Sequence, residues 1–117
     1  MLDGWPGGLH LPPMDTLARL EGTIAARRDA AAADSYVAQL HARGVPVIAR
    51  KVGEEAVETA IAALAGSPEE LVGEAADLLF HLMVLLSAKG IALDTVMAEL
   101  DRREGVSGLA EKAARTA

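Results

Sequence analysis

The sequence predicts an all-α fold, a small helical bundle of about four to five helices. Three observations carry that expectation. Apolar residues make up 51% of the 117-residue chain while aromatics make up only 3%, so Ala, Leu and Val fill the interior, a composition that suits helices better than a β-sandwich. Apolar positions recur at helical spacing along most of the chain. The only β-like run, Val45-Pro46-Val47-Ile48, is short and interrupted by a proline. The length fits one domain with a thin core.

In chain order, residues 1–13 read as a flexible tail, with Gly4, Pro6, Gly7 and Gly8 near the start and Pro12-Pro13 at its end. Residues 14–105 form the helical domain. Its first helix is expected over about Asp15 to Arg28, with Asp15 as N-cap and Leu17, Leu20 and Ile24 on one face. The Ala-rich stretch from Asp29 to Asp34 is open between helix and linker. A short helix follows from about Ser35 to Arg43, stopped by Gly44 and Pro46. The next runs from about Val47 to Ala65, with Gly66 just past its end. Ser67-Pro68-Glu69-Glu70 is the sharpest local signal: Ser67 caps, Pro68 takes the first helical position and Glu70 closes a capping box. The helix it opens reaches about Lys89 and stops at Gly90. So short a connection makes these two long helices an antiparallel hairpin. A last helix is expected from Asp94, as N-cap, to Glu104. Residues 106–117 read as a C-terminal tail or a frayed helix.

The net charge of -6 argues against nucleic acid and against an anionic membrane surface as partner. The most apolar stretch, Leu78–Leu86, is interrupted by His81 and is shorter than the roughly 20 residues of a membrane span. There is no cysteine, and the opening MLDGWPGGLH shows neither a basic start nor an apolar run, so a cytoplasmic protein is expected.

The chemistry concentrates on the two long helices. Glu54, Glu55 and Glu58 fall within an arc of roughly 100° on the first of them, beside Val57 and Ile61. On the second, Glu74, Asp77 and His81 fall within about 60° of one another, on a helix apolar in nearly every other direction and therefore expected to be buried. Buried carboxylates without compensation are costly. Lys51, the nearest cation in sequence, is one charge against five carboxylates. The residual charge suits divalent cations, and oxygen donors without cysteine favour Mg²⁺, with Mn²⁺ as the alternative. A structural zinc site would use Cys or several His. A di-iron bundle would use Glu-x-x-His pairs, which this sequence does not place on these helices. His81 reads as a hydrogen-bonded core residue supporting the carboxylates.

Lys51-Val52-Gly53-Glu54-Glu55-Ala56-Val57-Glu58 followed by Glu74-Ala75-Ala76-Asp77-Leu78-Leu79-Phe80-His81-Leu82 resembles the phosphoribosyl-ATP pyrophosphohydrolases of histidine biosynthesis, members of the all-α, MazG-like nucleoside triphosphate pyrophosphohydrolases. The superfamily mark, E-x-x-E followed by E-x-x-D, falls on Glu55/Glu58 and Glu74/Asp77. Ser35-Tyr36-Val37-Ala38-Gln39-Leu40 resembles the family's S-Y-x-A-x-L segment, and the likeness runs from about Leu17 to Arg103. Arg50 stands where the family pattern leads one to expect Gln. The resemblance implies Mg²⁺-dependent hydrolysis of phosphoribosyl-ATP to phosphoribosyl-AMP and pyrophosphate, by a homodimer or larger assembly that completes the bundle. On that reading Glu54, Glu55, Glu58, Glu74 and Asp77 hold the metal, Glu54 or Glu55 takes a proton from water, Lys51, Arg50, Ser35 and Tyr36 contact the phosphorylated nucleotide, and His81 stands behind them. Two other readings stay open: a general pyrophosphatase acting on nucleotides such as dUTP or dCTP, and a non-enzymatic helical interaction module. A Mg²⁺-dependent thermal shift separates the last from both enzymes.

Overall fold

Six α-helices and one short 3₁₀ turn, with no strand, make up the described part of the computed structural model, residues 13–104 and 108–116. They are α1 (Pro13–Arg27), the 3₁₀ turn (Ala32–Asp34), α2 (Tyr36–Arg43), α3 (Val45–Ala65), α4 (Pro68–Ala88), α5 (Leu93–Arg103) and α6 (Gly108–Thr116). The architecture is all-α. Of the expected tail of residues 1–13, residues 1–12 lie outside the described residues and Pro13 opens α1; of the expected C-terminal tail, Gly108–Thr116 is helical as α6.

Each boundary has a local cause. α1 starts at Pro13, not at Asp15, because proline fits the first turn, where no N–H partner is needed. Ser35 caps α2, its Oγ accepting the Ala38 N–H at 3.2 Å. Gly44, at φ 96°, ends α2 and starts α3 in one residue, a conformation that favours glycine. Pro46 was expected to stop a helix, yet it sits in the first turn of α3. The capping box is complete: Ser67 Oγ accepts from Glu70 N–H at 3.1 Å, and Glu70 Oε1 accepts from Ser67 N–H at 2.9 Å. Gly66 is needed for closeness, since a Cβ there would stand 3.0 Å from Ala62 O. At α5 the structure corrects the sequence reading. Ala92, not Asp94, is the N-cap and offers no side-chain bond. The cap comes from α1, where Glu21 Oε2 accepts the Leu93 N–H at 2.7 Å.

α3 and α4 pair as an antiparallel hairpin, the main packing of the molecule, while α1 and α2 lie against one half of it. The core sits in that half: Ile24, Val37, Leu40, Ile48, Met83, Val84 and Leu93, ringed by Leu17, Leu20, Phe80, Leu86 and Met97. Toward the hairpin tip at Gly66-Ser67 no further layer covers α3 and α4 among the described residues. Leu64 is 88% and Val72 69% exposed, and Val57, Ile61 and Leu79 are exposed with them. The expectation that α4 is buried on all sides therefore holds only in part: in its second half His81, Met83 and Val84 are covered, while Leu82 between them is exposed. α4 also exceeds the expected apolar length: its 21 residues, with mean hydropathy 1.7 over an 18-residue window, would reach across a bilayer. Glu74, Asp77 and His81 in its middle oppose such insertion.

Candidate active site

The carboxylates lie between the core and the hairpin tip, where α3 and α4 face one another. An antiparallel hairpin brings residues far apart in sequence to one level, and here it sets Glu55 and Glu58 of α3 against Glu74 of α4. One carboxylate oxygen from each lies within 4.8 Å of the others. The helices are pinned at that level by a residue the sequence reading did not single out. The Thr59 hydroxyl lies 2.7 Å from the Glu55 carbonyl oxygen and 3.2 Å from that of Glu74. A hydroxyl one turn after Glu55 was the available signal, since such residues bond the carbonyl four positions back.

Crowding shows in the electrostatics. Partial burial raises the Glu55 carboxyl above its ordinary value, and the charge and hydrogen bond of Glu58 add to it, as does Asp77. Partial burial likewise raises Glu74, with Glu58, Asp77 and Glu70 contributing. Like charges held this close favour a bound counter-cation. The donor set is carboxylate oxygen alone, so the cluster fits a hard divalent ion such as Mg²⁺ or Mn²⁺.

The other expected site residues fall in distinct places. Asp77 stands near enough to raise Glu55 and Glu74 by its charge, though it is not one of the three clustered carboxylates. Glu54 turns away from them to Arg50 and Lys51, at 3.6 and 3.8 Å. With Gly53, Val57 and Glu58, Arg50 and Glu54 line a shallow surface groove beside the cluster. Ser35 is buried, and its hydroxyl serves as the α2 cap. Tyr36 is exposed at one edge of the site, its hydroxyl 2.9 Å from His81 Nε2. His81 Nδ1 lies 2.7 Å from the Asp77 carbonyl oxygen. Phe80 completes an aromatic group, stacked on Tyr36 with ring centroids 5.9 Å apart and edge-on to His81 at 5.2 Å. Phe80 was read as one more apolar residue; its place beside Tyr36 depends on how α2 packs on α4.

Such an arrangement can hold a divalent cation between two helices and receive a polyphosphate beside cationic side chains. Comparison with known proteins identifies the family. The family described as phosphoribosyl-ATP pyrophosphohydrolase matches residues 17–104. The phosphoribosyl-ATP pyrophosphatase of Erythrobacter litoralis is 70% identical over 102 residues, covering 87% of this chain and 98% of that protein. The protein of the same name from Rhizorhabdus wittichii is 67% identical over 100 residues, covering 86% and 94%, and that of Dinoroseobacter shibae is 54% identical over 102 residues, covering its full length. The match spans both carboxylate-bearing helices and the Tyr36 segment, and the chain belongs to the phosphoribosyl-ATP pyrophosphohydrolase family.

Proposed function

We propose that this protein is the cytoplasmic, Mg²⁺-dependent enzyme that hydrolyses phosphoribosyl-ATP to phosphoribosyl-AMP and pyrophosphate in histidine biosynthesis. The observation that carries the proposal is the convergence of Glu55, Glu58 and Glu74 oxygens within 4.8 Å across the hairpin, in a chain whose relatives bear that activity in their names. Glu55, Glu58 and Glu74, with Asp77 beside them, would hold the ion. When bound, it supplies charge neutralisation for the phosphate oxygens and a water of lowered pKa.

The chain's own groups do the rest. Of the two candidate bases, Glu55 is the better placed. Its carboxyl lies within the cluster, beside the place where the ion's water would stand, whereas Glu54 is turned to Arg50 and Lys51, so Glu55 is the one in reach of that water's proton. Glu54, held between Arg50 and Lys51, keeps those two cations beside the cluster. They approach the phosphates as fixed charges. Water then attacks phosphorus in line, and pyrophosphate leaves.

The protein works as a homodimer or larger assembly on this reading. Val57, Ile61, Leu64, Val72 and Leu79 are exposed on the uncovered part of the hairpin, and so much uncovered apolar surface on two packed helices supports an association surface there. Pairing two copies there gives a four-helix arrangement around the carboxylates. Ile61→Asp is expected to yield monomers in sedimentation equilibrium.

The deciding assay is pyrophosphate release with Mg²⁺ from phosphoribosyl-ATP, ATP, dUTP and dCTP at equal concentration. Preference for phosphoribosyl-ATP supports the proposal. Preference for a plain nucleotide moves the function to nucleotide-pool cleansing. Release from none of them, together with no Mg²⁺-dependent thermal shift, leaves a helical interaction module.

A further inference from the structure

For a neutral imidazole the Tyr36–His81 contact has one direction. His81 is buried, and its Nδ1 lies 2.7 Å from the Asp77 carbonyl oxygen. A peptide carbonyl only accepts, so Nδ1 carries a proton. In the neutral imidazole Nε2 is then a bare acceptor. The group facing Nε2 at 2.9 Å is the Tyr36 hydroxyl, which with that neutral ring donates its single proton there. The phenol oxygen keeps lone pairs and has nothing left to donate. Packing on Phe80, with the planes 19° apart, and edge-on against His81, with ring centroids 5.8 Å apart, holds the ring in place. Tyr36 nevertheless stays 45% exposed, so the side chain is open to a ligand.

We infer that Tyr36 is a specificity residue whose phenol oxygen, committed by His81 to accepting, takes a hydrogen bond from a hydroxyl on the nucleoside ribose of the substrate. The inference rests on the proposed pyrophosphohydrolase reading of the carboxylate cluster and extends it. Phosphate oxygens are acceptors and find no partner in an acceptor-only phenol. The substrate groups that donate are the ribose hydroxyls and the amino group of the base. Position chooses between them. His81 follows Asp77 by four residues of α4, about 6 Å along the axis, so Tyr36 stands one short step from the carboxylates that would hold the ion and, through it, the phosphates. The nucleoside ribose is joined directly to the first phosphate, whereas the base lies beyond it. Neither Tyr36 nor His81 needs to touch the reacting phosphorus: Tyr36 reads the sugar and His81 positions Tyr36.

The test pairs substrate and protein changes. Wild type and Tyr36→Phe are assayed for pyrophosphate release from phosphoribosyl-ATP and from its 2′-deoxy and 3′-deoxy forms, the deoxygenation placed on the nucleoside ribose. For wild type, kcat/KM should fall about tenfold for one of the deoxy forms, the scale of one lost hydrogen bond. Tyr36→Phe should lose about the same factor on the parent substrate and no longer distinguish that deoxy form. A purely structural tyrosine would slow all three substrates alike and leave the ratio intact, which overturns the inference. Imidazole ¹⁵N shifts give an independent readout. His81 should show a protonated Nδ1 and a bare Nε2; a proton on Nε2 overturns it as well. If wild type ignores phosphoribosyl-ATP but cleaves ATP, the substrate reading fails alone, and the same ratio is measured with ATP and its deoxy forms. Release from no nucleotide sinks both.

Discussion

Glu55→Gln separates two opposite effects of one carboxylate. In wild type the Glu55 carboxyl is raised from 4.5 by partial burial and by Glu58. A raised acid is favoured in its neutral form by the fold. Its ionisation therefore removes stability as pH climbs from 4.5 through the raised value, and the loss persists at neutral pH. Two unit charges at the 4.8 Å limit of the cluster repel by about 0.9 kcal/mol in a water-like dielectric. Two such neighbours, screened by salt, leave a cost of order 1 kcal/mol. Without divalent ions at pH 7.5 the variant should thus melt higher than wild type, by about 4 °C at the usual conversion for a domain of this size. Below pH 4.5 the difference should vanish. With Mg²⁺ the order reverses. At a hundred times Kd the ion adds about 2.7 kcal/mol to wild type, or about 10 °C by the same conversion, and the variant should gain less than half of that. Turnover should fall more than about 100-fold, since even outer-shell partners of a metal are worth 10–100-fold. Calorimetric melts at two pH values, with EDTA and with Mg²⁺, give every term. A variant that melts lower without metal, or keeps the full Mg²⁺ shift, would refute the assignment of Glu55 to a crowded cation site.

Leu40→Ala opens a cavity at a fully buried core position and should cost about 2–5 kcal/mol in urea unfolding, with the slope unchanged. Ser67→Ala removes half of the capping box at the start of α4; a loss of about 1 kcal/mol is expected, with faster amide exchange confined to that first turn. Glu99 is held down to about 2 by hydrogen bonds from Arg102 first and Arg103 second. Its contribution is present above pH 4.5 and lost as pH falls toward about 2, so acid titration of stability in Glu99→Gln should be flatter than wild type over that window.

The helices were legible because their signals are local. The capping box at Ser67 needs four adjacent residues, and the structure forms both of its bonds. The pairing of Glu55 and Glu58 with Glu74 was legible for the same reason: a short turn forces an antiparallel hairpin, which sets the level at which two acidic stripes meet. What sequence did not show depends on contacts between distant segments. Asp94 carries the usual chemistry of an N-cap, yet Glu21 of α1, 72 positions from its partner Leu93, does that work. Glu54 and Glu55 are neighbours in one acidic run, and side-chain direction sends the first to Arg50 and Lys51 and the second to Glu58.

The burial of α4 exposes a more general limit, and a reason for it. Periodicity tells which faces of a helix are apolar but not what covers them. Around Met83 and Val84 the cover is α1 and α2 of the same chain. Around Val72 and Leu79 none of the described residues supplies it, although the sequence there is equally apolar. The carboxylates lie between the two regions, beside a core that is complete and a tip that is open. Repulsion among them is therefore borne by the half of the hairpin with the fewest contacts of its own. Two agents relieve it, a cation between the carboxylates and an apolar layer over the tip, and each should strengthen the other. Mg²⁺ is accordingly expected to shift the monomer–dimer equilibrium toward the dimer, and Ile61→Asp, which opposes the layer, to weaken Mg²⁺ binding without touching a carboxylate. Calorimetric titration of Mg²⁺ into the wild type and Ile61→Asp measures that coupling, and equal affinities would show that the site is complete within one chain.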